Sequence, residues 1–115
     1  MLQLKSVVYF VLEIQAAKEW LEKLLKTKPY RSDDYFVGFK VQEYEICLHK
    51  IDEKAGEQIG NQVCYWEVEN MEDMITEMTK LGGLIYRSPL TLPDGGQVCQ
   101  IKSPFNFIIG VKQSK

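Results

Sequence analysis

An α+β fold made of two tandem βαβββ modules, with helices on one face of curved, mostly antiparallel sheets, is what this sequence predicts. Three observations carry the prediction. One supersecondary unit is written twice, as VVYFVLEIQAAKEWLEKLL from Val7 and as CYWEVENMEDMITEMTKLG from Cys64. Setting Val11 against Val68, an offset of 57 residues, places Tyr9 on Trp66, Ile14 on Met71, Ala17 on Met74, Leu21 on Met78 and Leu24 on Leu81. In both copies a short β-branched and aromatic run changes directly into apolar spacings of three and four residues, the switch from strand to helix. Each helical run is then followed by short strand-like runs separated by turn residues. An offset near half of the 115 residues means a duplicated module, not a many-unit solenoid.

Residues 4–12 (LKSVVYFVL) read as the first strand, buried on both faces. The helix from Ile14 to about Lys26 carries its apolar stripe on Ile14, Ala17, Leu21, Leu24 and Leu25. Lys26 and Lys28 suit the negative end of its macrodipole, and Pro29 is expected to stop it. The strand candidates YR, YFVGFKV and YEICLHKI follow between Tyr30 and Ile51, and residues 52–61 (DEKAGEQIGN) form a polar linker. Gln62–Val68 opens the second module as a strand. Asn70, with Asp73 three residues on, starts a helix in the manner of a capping box. That helix buries Met71, Met74, Ile75, Met78 and Leu81, a core stripe and not a cofactor box, and Gly82-Gly83 caps its end. Leu84–Arg87, Gln97–Lys102 and Phe107–Val111 complete the set, with Pro93-Asp94-Gly95-Gly96 as a turn. One domain over residues 1–115 is expected, with module one at about 4–51 and module two at about 62–113.

Composition narrows the function. The formal net charge of −2 argues against nucleic acid, because phosphate binding needs a clustered positive field. No apolar run approaches the ~18 residues that would span a bilayer, and the N-terminus lacks the order of a secretory signal. A cytoplasmic protein without a membrane partner is expected. The cysteines, Cys47, Cys64 and Cys99, are odd in number, sit in apolar strand-like runs and form no C-x-x-C. Buried reduced thiols are the expectation, with no disulfide framework and no zinc site.

The duplicated βαβββ order, the run YWEVENMEDMITEMTKLGG and the ending QVCQIKSPFNFIIGV together resemble the vicinal oxygen chelate (VOC) superfamily, of the glyoxalase/bleomycin-resistance type. Small members often carry Asp-Pro-Phe-Gly-Asn before the last strand, then an aliphatic residue and glycine. Here Ser103-Pro104-Phe105-Asn106-Phe107-Ile108-Ile109-Gly110 keeps the Pro-Phe and the Ile-Gly and loses the acid, the glycine and the asparagine. The resemblance covers about Leu4 to Lys112. It implies that the curled sheets form a cup, with the helices outside. It also implies four metal-ligand positions, which fall at or near Ser6, Cys47, Val63 and Gly110. Hard divalent cations want oxygen or imidazole donors, and Val63 and Gly110 offer none. The expectation is therefore no metal and no cofactor.

Alternation along the strands then proposes which residues face the cup: Ser6, Val8 and Phe10; Glu45, Cys47 and His49; Val63, Tyr65 and Glu67; Ile108, Gly110 and Lys112. Tyr9, Val11, Trp66, Val68 and Val111 should pack on the helices. From the cup-facing set, Ser6, Phe10, Cys47, Tyr65, Glu67, Gly110 and Lys112 are the candidate ligand-binding residues. Tyr44, Phe39 and Trp20 are further aromatic candidates. His49, the only histidine, with Glu45 as an orienting carboxylate, and Glu67 are the candidate catalytic groups. Cys47 as a nucleophile would need a base to lower its pKa.

Two classes of function stay open at this point. The resemblance implies a metal-independent protein that sequesters a small, partly apolar molecule, as a homodimer by analogy with bleomycin-resistance proteins. The alternative is a metal-dependent lyase, isomerase or dioxygenase-like enzyme with an atypical ligand set, which a one-residue error of register would revive. A filled cup serving as an interaction module is a third, plainer reading. Glu45 and Glu67 against Lys112 leave the ligand's charge undecided.

Overall fold

The computed structural model describes residues 4–52 and 62–115. Two compact units divide the chain, Met1–Glu57 and Gln58–Lys115. The first contains β1 (Ser6–Val11), α1 (Ile14–Leu25), β2 (Arg31–Ser32), β3 (Phe36–Val41) and β4 (Tyr44–Lys50), in a sheet ordered β1-β4-β3-β2. The second contains β5 (Tyr65–Glu67), α2 (Met71–Lys80), β6 (Leu84–Thr91), β7 (Gln97–Lys102) and β8 (Ile108–Gln113), ordered β5-β8-β7-β6. In each sheet the first and last strands of the unit run parallel, β1 with β4 and β5 with β8, and the remaining pairs are antiparallel. The fold is α+β, in two βαβββ modules. The polar linker expected at 52–61 lies, from residue 53 on, outside the described residues.

Each helix covers one face of its own sheet. In the first unit, Ile14, Ala17, Trp20 and Leu21 of α1 are buried, as are Val11, Val37, Phe39, Ile46 and Leu48 of the strands. The register Phe39↔Ile46 and Val37↔Leu48 puts these strand residues on one side of the sheet. Phe39 is thus core, not ligand-facing surface, because it alternates with Gly38 and Lys40; Trp20, on the buried stripe of α1, is core as well. In the second unit Met71 and Met78 are buried along with Cys99, Ile101, Ile109 and Val111. Burying each such side chain contributes roughly 1.5–3 kcal/mol.

Several boundaries differ from expectation, each for a local reason. Lys26, not Pro29, ends α1: its φ of 55° is left-handed, and its N–H donates to the Glu22 carbonyl. The second helix starts as expected, with the Asn70 side chain accepting from the Asp73 N–H at 2.9 Å. An unforeseen second cap is supplied by Gln113, whose Oε1 accepts from the Met71 N–H at 2.6 Å. At the far end Gly82 takes φ 91°. The Gly83 N–H then reaches the Met78 carbonyl and the Gly82 N–H that of Thr79, a Schellman closure. The expected strand Gln62–Val68 shrinks to Tyr65–Glu67, so Val63 and Cys64 precede it. β6 runs past Arg87 to Thr91; it tolerates Pro89 because it is an edge strand with register shifts between Ile85 and Leu90. Before β8, the buried Ser103 hydroxyl accepts from the N–H groups of Phe105 and Phe107, and Asn106 takes φ 73°.

Leu21→Ala, at a position 1% exposed, should lower unfolding stability by about 2–5 kcal/mol. Urea denaturation followed by circular dichroism would read this as a reduced midpoint.

Candidate functional site

The face of the first sheet turned away from α1 carries cross-strand rows that the pairing register sets. Ser6, Glu45 and Lys40 share one row, Val8, Cys47 and Gly38 the next, and Phe10, His49 and Phe36 a third. In the third row the Phe10 and His49 rings lie 5.3 Å apart, tilted by 47°. The Arg31 guanidinium, from β2, sits 4.6 Å above the Phe36 ring centre. The His49 Nδ1 is 2.7 Å from the carbonyl oxygen of Lys50. Phe10 remains 44% exposed.

Gly38 decides the second row. A Cβ there would lie 2.7 Å from the Tyr30 ring, so only glycine admits that ring against the sheet. The Tyr30 hydroxyl donates to the Glu45 carboxylate, and the Lys40 ammonium lies 5.4 Å from the centre of the same ring. That hydrogen bond holds the phenol protonated, and with desolvation and the Glu45 charge it pushes the Tyr30 pKa up to about 12. Cys47 is 3% exposed. Burial, and then the charge of Glu45, push its thiol up.

The second sheet repeats the arrangement with different residues. On the face away from α2, Tyr65 stands opposite Gly110 and Glu67 opposite Lys112. Gln100 pairs with Gly110, Lys102 with Ile108 and Arg87 with Gln100. A Cβ on Gly110 would lie 2.6 Å from the Tyr65 ring, and Gln100 Nε2 donates to the Tyr65 hydroxyl at 2.8 Å. The Glu67 carboxylate accepts from the Ser114 N–H at 2.8 Å and from its hydroxyl at 2.7 Å. These bonds, with Lys112 as a lesser cause, hold Glu67 below the usual carboxylate range. Arg87, Lys102 and Lys112 are the cations of this face.

Sequence-predicted candidates therefore divide between the sheets: Ser6, Phe10, Glu45, Cys47 and His49 on the first, and Tyr65, Glu67, Gly110 and Lys112 on the second. The His49–Glu45 couple is not brought together, since Glu45 is bonded to Tyr30 and His49 to the Lys50 carbonyl. Tyr30, Arg31, Phe36, Gly38, Lys40 and Gln100 were not anticipated. One signal for the first of them was available: a glycine inside YFVGFKV marks a point where another group approaches the backbone. The four positions that the resemblance marks for metal ligands suit a divalent metal poorly, because Val63 and Gly110 have no side-chain donor and burial disfavours the Cys47 thiolate. Among the described residues no cluster of three or more His, Cys, Asp and Glu could hold an ion. No helix among them is long and apolar enough to cross a membrane.

Comparison with solved structures identifies the architecture. A glyoxalase-related enzyme from Fulvimarina pelagi superposes with a TM-score of 0.84 at 10% identity, over 99% of this chain and 89% of that one. A glyoxalase/bleomycin resistance protein/dioxygenase family enzyme from Burkholderia phytofirmans PsJN gives 0.82 at 13% identity, over 99% and 100%. A fosfomycin resistance protein from Mesorhizobium loti gives 0.75 at 12% identity, over 100% and 94%. No protein-family model matches the sequence, and no curated protein matches it. The chain has the fold of the VOC superfamily.

In a spectrophotometric alkaline titration one of the six tyrosines should ionise near pH 12 in the folded protein. The raised value means that the Tyr30 bond supports the fold fully below about pH 10 and is lost as pH rises through about 12. Glu45→Gln should return that tyrosine to the ordinary range. Native thiol labelling at neutral pH should modify the half-buried Cys64 before the buried Cys47 and Cys99, read by peptide mass mapping.

Proposed function

We propose that this protein binds a small, partly apolar molecule without a divalent metal, sequestering it on the helix-free faces of its sheets. The observation that carries the reading is the pairing of exposed aromatic surface with a donor-poor set of inherited ligand positions. Phe10 and Tyr65 stay 44% and 46% exposed on those faces, while Val63 and Gly110 present nothing that could grip a cation. Within the first sheet Ser6 and Cys47 are the further candidate ligand-binding residues, and within the second Glu67, Gly110 and Lys112. Glu45 and Glu67 are satisfied by internal hydrogen bonds, which suits them to a positioning role better than to acid–base catalysis. A homodimer in the cytoplasm is the form proposed. The lack of side-chain donors at Val63 and Gly110 favours binding over metal-dependent catalysis.

Elemental analysis of protein purified without chelator should find no stoichiometric zinc, nickel, manganese or iron. A thermal-shift panel of amphipathic antibiotics and aromatic metabolites should contain compounds that raise the melting temperature. Stoichiometric metal held by the protein would replace this reading with the metal-dependent lyase, isomerase or dioxygenase-like one.

A further inference from the structure

We infer that the ligand is a planar aromatic anion, held against the Phe10–His49 pair of the first sheet with its negative group on the Arg31 guanidinium over Phe36. The inference rests on the small-molecule reading above and names the class of molecule. Neighbouring strands lie about 4.7–4.9 Å apart, so with Arg31 over Phe36 the open rings are those of Phe10 on β1 and His49 on β4, with Arg31 about one strand further on. That suits a one- or two-ring ligand. The Phe10–His49 contact at 5.3 Å shows that neighbouring rings in the row already meet at aromatic contact distance.

Charge selects the sign of the ligand. Glu45 accepts from the Tyr30 hydroxyl, two rows away from Phe10. Asp33 accepts the N–H groups of Tyr35 and Phe36, each at 2.9 Å, and these hold its carboxyl below the usual carboxylate value. Arg31 Nη2 donates to Asp33 Oδ2 at 3.4 Å, a long ion pair, and its side chain is 59% exposed. A guanidinium has five N–H donors in a planar fork, so it retains the capacity to take a carboxylate or phosphate bidentately. Its position over Phe36 fixes that fork at one end of the ring row. A cationic ligand would meet the like charge of Arg31 at that end of the row. The chain's overall charge of −2 is therefore no guide to this face.

The test uses the full-length chain and probes that share one ring system: 2-naphthoate, its neutral amide, and 2-naphthylmethylamine. Calorimetry should rank them anion over amide over amine, with the anion at least about tenfold tighter than the amide, the size of a charge-assisted bond. Arg31→Gln should remove most of the anion's advantage and leave amide binding unchanged, whereas Phe10→Ala should weaken both. The imidazole signals of the single histidine should shift upon naphthoate addition in proton NMR, reporting occupancy of the row. Equal affinity of naphthoate for wild type and Arg31→Gln, preference for the amine, or unmoved histidine signals would overturn the assignment. If none of the naphthyl probes binds while other compounds stabilise the protein, the anion assignment falls and small-molecule binding stands. If no compound of any kind binds, both fall.

Discussion

Everything in each module follows from one pairing: the strand that opens the module lies parallel to the strand that closes it. β1 pairs with β4 and β5 with β8 in register over every residue of the opening strand. A parallel pair cannot be joined by a tight turn and needs a long crossover. The amphipathic helix and the intervening strands supply it. The helix must cover one face of the sheet to bury its stripe, and that leaves the other face uncovered by it. Because paired residues share a face, Ser6–Glu45, Val8–Cys47 and Phe10–His49 are placed together with no further choice. The candidate site is thus a by-product of that pairing.

Glycine and tyrosine then set the chemistry of the open faces. Gly38 admits the Tyr30 ring and Gly110 the Tyr65 ring, each at a distance that any Cβ would forbid. In each unit a hydrogen bond to another part of that unit occupies the face's acidic side chain, Tyr30 for Glu45 and Ser114 for Glu67. Cations on the same faces, Arg31 in one unit and Arg87, Lys102 and Lys112 in the other, keep more of their donor capacity. In the first unit the hydrogen bonds engage Glu45 and His49 separately, Glu45 with Tyr30 and His49 with the Lys50 carbonyl.

Two local devices build the turn before β8. Where the related pattern has an acid, Ser103 accepts N–H bonds from Phe105 and Phe107, as a carboxylate would. Where it has glycine, Asn106 takes the left-handed conformation that asparagine tolerates best after glycine. β8 consequently begins in register despite the substitutions, and Gly110 arrives opposite Tyr65.

Much of this was legible in residue order alone. The duplicated strand–helix unit, the buried stripes of both helices, the Asn70 cap and the Gly82 stop are local signals, and hydrophobic periodicity or backbone conformation encodes them directly. Alternation also proposed faces for Phe10, Tyr65 and Lys112, since a period of two needs no knowledge of the partner strand. Contacts between residues distant in sequence were not legible. Tyr30 reaches Gly38 and Glu45, Gln113 caps α2, Ser114 binds Glu67 and Arg31 covers Phe36 only because strand pairing brings them together, and no spacing rule records such meetings. The sequence by itself determined the modules and the poverty of metal donors. Tertiary structure decided which carboxylates are engaged and which cations stay available, because side-chain hydrogen bonding depends on neighbours that pairing, not periodicity, supplies.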